Sequence, residues 1–126
     1  MIKQLKTILI VEDEQDIRKA IADRFAYEGF WVFEAEDGVQ GLKVALKERP
    51  DLILLDIMMP KMDGMVMLKK LRANKLGKDV PVVILTNLDK IEEMAEALEG
   101  EVYDYLLKSD WNLEDIVKRV KDKLKL

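Results

Sequence analysis

Five short apolar runs, each separated from the next by a longer stretch of helical periodicity, constrain this chain more than any other feature. They are Thr7 to Val11 (TILIV), Trp31 to Ala35 (WVFEA), Asp51 to Leu55 (DLILL), Pro81 to Leu85 (PVVIL) and Val102 to Leu107 (VYDYLL). Most are apolar at successive positions, where a sheet with one wet face would alternate. Such runs mark parallel strands covered on both faces, so these strands are expected in the buried middle of the fold.

Between the runs the spacing becomes helical. Ile17, Ala20, Ile21 and Phe25 fall on one face, as do Val39, Leu42, Ala45 and Leu46. Met65, Leu68 and Leu71 mark a shorter third helix, Ile91, Met94, Ala95 and Leu98 a fourth, and Leu113, Ile116, Val117, Val120 and Leu124 a fifth. Asp37-Gly38, Arg49-Pro50 and Lys78 to Pro81 punctuate these segments, and Asp89 with Glu92 has capping-box spacing for the fourth helix. Strict alternation of strand and helix implies crossovers that place helices on both sides of a parallel sheet. The expected fold is α/β, a doubly wound five-stranded parallel sheet in the order 2-1-3-4-5, flavodoxin-like, (βα)5. With 126 residues there is material for one core and one domain, residues 1–126.

Composition removes several chemistries. Cysteine and histidine are both absent, which excludes disulfides, thiolate nucleophiles, histidine or cysteine zinc sites, a serine–histidine triad and a phosphohistidine on this chain. A net charge of −4 with scattered lysines and arginines provides no basic stripe, so direct nucleic-acid binding is not expected. The sequence shows neither a long apolar run nor a basic-then-apolar start, and a cytoplasmic protein with no membrane association is the expectation.

In a sheet of this order, ligands bind beyond the carboxyl ends of the strands, where strand order reverses between the first and third. The first strand ends in Glu12-Asp13, the third in Asp56, the fourth in Thr86 and the fifth in Lys108. Three neighbouring carboxylates repel one another unless one takes up a proton or a cation joins them. Mg2+ suits an all-oxygen site that keeps room for waters and phosphate oxygens. The chemistry that follows is phosphoryl transfer to Asp56 as nucleophile, with the metal, Lys108 and Thr86 each taking one phosphoryl oxygen.

Taken singly, these residues have plainer readings. Glu12 and Asp13 could form a solvated turn and helix cap, Thr86 could cap a turn, and Lys108 could be a surface lysine. Asp56 is different, because a carboxylate at the end of a buried strand needs a partner or a purpose.

The runs ILIVEDE, DLILLDIMMPKMDG, VVILT and YDYLLK together resemble the motifs of the response-regulator receiver family of two-component signalling. The likeness extends from Lys6 to the final helix. It implies a phosphoprotein whose Asp56 accepts phosphate from a partner histidine kinase or histidine phosphotransfer protein, with Glu12, Asp13, Asp56 and the Met58 main-chain carbonyl holding Mg2+. Thr86 matches the family's switch hydroxyl, Lys108 its lysine, and Tyr105 its switch aromatic, although a fixed, half-buried tyrosine is an equal reading.

The resemblance also implies a switch that signals to an output partner through the fourth helix, fifth strand and fifth helix, as a monomer or a phosphorylation-dependent dimer. It would not be an enzyme beyond its own phosphorylation and autodephosphorylation. Three positions depart from the family pattern: Ser109 stands where proline usually follows the lysine, Glu101 where glycine is usual, and Asn87 where a small residue is usual. They motivate the alternative of a receiver-like scaffold without the switch. A phosphohydrolase of another α/β family is disfavoured, because Asp56 lacks a second aspartate two residues on and no GxxxxGK[ST] loop is present.

Overall fold

The computed structural model describes residues 5–57, 59, 62–86, 104–107 and 112–126, and of residues 86 and 104–107 it describes the main chain alone. Within these residues the strands are β1 (Thr7–Val11), β2 (Trp31–Ala35), β3 (Leu52–Asp56), β4 (Val82–Thr86) and β5 (Asp104–Leu107). They form one parallel sheet in the order β2-β1-β3-β4-β5, the order expected. Its helices are α1 (Gln15–Tyr27), α2 (Gly38–Glu48), α3 (Gly64–Ala73) and α4 (Leu113–Leu124). The expected helix around Ile91 to Leu98, with its Asp89/Glu92 box, lies outside the described residues, as do Asn87, Glu101 and Ser109. No helix among the described residues is long and apolar enough to cross a membrane.

The unbroken apolar runs split by strand pleat into two cores. Ile8 and Ile10 of β1, Leu52 and Leu54 of β3 and Val83 and Leu85 of β4 point to one face, where Ile21 and Phe25 of α1 and Ile116 and Val120 of α4 meet them. Leu9, Val11, Ile53, Leu55, Val82 and Ile84 point to the other, against Ala45 of α2 and Met67, Leu68 and Leu71 of α3. Alternation exists, but both faces are covered, so it leaves no polar trace in the sequence. Each fully buried side chain of this size contributes roughly 1.5–3 kcal/mol relative to an exposed one.

β2 corrects the expectation that every strand lies in the buried middle. As the edge strand it leaves Trp31 and Glu34 exposed and Val32 and Phe33 half-buried. Two helical faces are also shifted. Ala22, not Ala20, joins Ile21 and Phe25 in the core, and Val39 is exposed while Gly38 and Gly41 take the buried side of α2. In both helices the buried stripe is centred on the pairs four residues apart, and residues at its margin turn to solvent.

Local chemistry ends the elements. Asp37, Asp63 and Asn112 cap α2, α3 and α4 by accepting from the Gln40, Val66 and Asp115 amides at 2.8, 3.0 and 2.9 Å. Gly29 turns the chain from α1 to β2 with φ at +94°, a conformation that favours glycine. Arg49 closes α2 in the left-handed region, φ 48°, directly before Pro50, which blocks helix continuation. At the opposite end of the sheet from the acidic residues, Asp51 accepts from the Thr7 amide at 2.7 Å and from the Thr7 hydroxyl at 3.1 Å. That pair fixes the register of β1 against β3.

Candidate functional site

β1 and β3 are neighbours, so their carboxyl ends deliver Glu12, Asp13 and Asp56 to one rim. Each of the three offers a carboxylate oxygen within 4.8 Å of those of the other two. Glu12 is 0% and Asp56 1% exposed, while Asp13 is half-buried. The plainer reading of Glu12-Asp13 as a solvated turn and cap does not describe this arrangement. The cap position of α1 is Glu14, and its side chain makes no capping bond.

The main chain around the acids is held closely. The Glu12 amide donates to the Ala35 carbonyl at 3.0 Å, and the Glu14 amide donates to Glu12 Oε2 at 3.3 Å. Below Asp56 the chain turns back at once: the amides of Met59 and Gly64 both donate to the Ile57 carbonyl, at 3.1 and 3.0 Å. Asp63 then caps α3, and Gly64 opens it against the Asp56 main chain. The Met62 carbonyl accepts from the Gly38 amide at 3.1 Å, which ties this loop to the start of α2.

The donor set suits a hard dication. It is oxygen only, with three carboxylates, and a spread of 4.8 Å allows one ion to be held directly or through its waters. Two like charges at such a distance repel by roughly 3 kcal/mol at the effective dielectric of a protein site. Three so close, two of them buried, therefore call for a counter-charge or a proton, and a dication supplies the first.

Thr86 and Tyr105 are placed by their main chains. Thr86 ends β4 one residue beyond Leu85, the partner of Asp56, and pairs with Leu107; Tyr105 pairs with Ile84. Both strands thus run toward the rim that carries the acids. Met58 and Lys108, expected to supply a carbonyl ligand and an ammonium, lie outside the described residues.

One residue escaped the reading of the sequence. Arg18, in the second turn of α1, donates through Nη1 to the Glu12 carbonyl at 2.8 Å and through Nε to Glu34 Oε1 at 3.3 Å. In the sequence it is one more charged residue between the apolar positions of a helix, and only the fold shows that it reaches back to the rim.

A parallel sheet with three clustered carboxylates at its switch point defines a class, the α/β modules that gather oxygen ligands at strand ends. Comparison narrows the class to a family: the model of the response regulator receiver domain matches residues 8–121, and the chain belongs to that family of two-component signalling domains. The response regulator MprA of Mycobacterium leprae (strain TN) is 34% identical over 114 residues, which are 90% of this chain and 49% of the relative. The chain thus spans about half the length of the mycobacterial regulators it matches. Among solved structures, a CheY-like response regulator receiver domain protein from Methanospirillum hungatei JF-1 superposes with a TM-score of 0.86 at 30% identity, over 97% of this chain and 95% of that one. The chemotaxis protein CheY4 of Vibrio cholerae superposes with a TM-score of 0.83 at 27% identity, over 94% of this chain and 98% of that one.

Proposed function

We propose that the chain is a phosphoacceptor switch, in which Asp56 takes a phosphoryl group from the phosphohistidine of a partner histidine kinase or histidine phosphotransfer protein. The observation that carries this reading is the meeting of the Glu12, Asp13 and Asp56 carboxylates within 4.8 Å at the rim of a receiver fold. An Asp56 oxygen attacks phosphorus as the bond from phosphorus to the donor's imidazole nitrogen breaks. The departing nitrogen keeps the electron pair and takes a proton, and Asp56 becomes an acyl phosphate.

Glu12, Asp13, Asp56 and the Met58 main-chain carbonyl would hold Mg2+. When bound, the ion neutralises charge on the phosphoryl oxygens. On this reading Lys108 and Thr86 bind the remaining oxygens, and Tyr105 follows the hydroxyl inward.

The work of such a domain is to switch rather than to turn over substrate, and its catalysis is confined to its own phosphorylation and dephosphorylation. The output partner meets the surface built from the fourth helical stretch, β5 and α4, with the domain acting in the cytoplasm as a monomer or a phosphorylation-dependent dimer. Beryllofluoride with Mg2+ tests this reading. Amide resonances of residues 12, 13, 56 and 105 are expected to shift in the wild type and to stay in place in Asp56→Asn, and a wild-type spectrum that does not respond contradicts the proposal.

A further inference from the structure

α1 begins differently from the other three helices among the described residues. Asp37, Asp63 and Asn112 each tie down the first turn of their helix, whereas the Glu14 side chain makes no capping bond. The segment that lacks this anchor is the one that carries Glu12 and Asp13.

Arg18 supplies an anchor from the second turn. Its side chain is 13% exposed, its Nη1 donates to the Glu12 carbonyl at 2.8 Å, and its Nε donates to Glu34 Oε1 at 3.3 Å. The Glu12 carbonyl belongs to the peptide that joins Glu12 to Asp13. With the Glu12 amide already donating to the Ala35 carbonyl, that residue is held at both ends, and both holds lead to β2. A planar guanidinium steered by one carboxylate and aimed at one carbonyl fixes the plane of the peptide it touches.

We infer that Arg18 is a positioning residue for the cation-binding pair Glu12 and Asp13, oriented in turn by Glu34 on the sheet edge. The inference rests on the metal-binding reading of the acidic rim. Groups of this kind, which touch the ligands' supports and not the ion, set metal affinity by holding ligand geometry.

Charge and positioning make opposite predictions here. Arg18 places a positive charge beside a cation site, so its removal on Coulombic grounds alone would tighten Mg2+ binding. If its task is to orient the 12–13 peptide, its removal loosens binding.

The experiment compares the full chain with Arg18→Ala, Arg18→Lys, Glu34→Gln and Asp13→Asn. Mg2+ affinity is measured by calorimetric titration, and the unfolding temperature is measured in EDTA and in Mg2+. Arg18→Ala is expected to weaken Mg2+ binding about tenfold, the lower end of what loss of such a support costs. Its Mg2+-dependent gain in unfolding temperature shrinks accordingly, whereas a merely structural role would lower both temperatures equally.

Arg18→Lys keeps a donor and the charge but not the planar fork, and is expected to recover only part of the affinity. Glu34→Gln, at a 44% exposed side chain that folding tolerates, moves affinity in the same direction as Arg18→Ala by less. Wild-type or tighter Mg2+ binding by Arg18→Ala, with Asp13→Asn defective, overturns the role of Arg18 and leaves the acidic site standing. A wild-type chain whose titration shows no Mg2+ binding overturns both.

Discussion

A Cβ placed on Gly64 would lie 2.5 Å from the Asp56 carbonyl oxygen and 2.8 Å from Ile57 Cα, so the residue that opens α3 also sets the position of the main chain beneath the Asp56 carboxylate. The neighbours at risk are backbone atoms, which do not swing aside as a flexible side chain would. Gly64→Ala is accordingly expected to destabilise the fold by about 1–3 kcal/mol, the usual cost of overpacking. It should also slow phosphorylation of Asp56, because the same atoms carry both effects. Urea unfolding and phosphorylation by a small donor check the two together, and a variant of wild-type stability and rate would show that the contact is not felt. Of the residues at this site, Glu12, Asp13 and Asp56 were legible in the sequence because they end or directly follow apolar strands whose carboxyl ends the topology brings to one rim. Arg18 was not, because the carbonyl it holds is identified only by the path of the chain.

Two elements carry testable details of their own. Arg49 ends α2 with φ at 48°, where a side chain is strained and glycine is not. Arg49→Gly is expected to raise stability by about 0.5–1 kcal/mol, the relief of that strain less the greater freedom of glycine in the unfolded chain. Calorimetric unfolding decides it, and a lowered midpoint would mean that the arginine side chain matters more than its backbone. At the end of α1, Glu28 accepts from Lys121 of α4 at 2.7 Å and from Arg24 at 3.1 Å. These bonds, the one to Lys121 foremost, hold the Glu28 carboxyl below its ordinary value of 4.5. Because the folded state favours the charged form, this contribution is present at pH values above 4.5 and fades as pH falls through the depressed folded value. Glu28→Gln should therefore lose stability at neutral pH and converge on the wild type in acid. Urea midpoints measured from neutral to acid pH test this, and parallel curves would contradict it.

The whole molecule was more legible than its edges. Unbroken apolar runs disclosed a sheet covered on both faces, and their alternation with helical periods disclosed its parallel crossovers, for which 2-1-3-4-5 is the common strand order. The expected order already put the second strand at the edge, but its apolar letters did not disclose that Trp31 would lie exposed there, since an edge strand covered in part keeps much the same composition. The expected starts at Asp51 and Pro81 each fell one residue early, where Asp51 serves the Thr7 junction and Pro81 lends only its carbonyl, to Ile53. At this scale the fold holds three carboxylates close together at one crevice, which on the proposed reading a dication and a phosphoryl group share. The most direct test is the intact mass of the full chain after exposure to acetyl phosphate, with Mg2+ and with EDTA, for the wild type and Asp56→Asn. The account predicts a single phosphoryl adduct on the wild type in Mg2+, little in EDTA and none on Asp56→Asn. An unmodified wild type in Mg2+, or an equal adduct on Asp56→Asn, would contradict it.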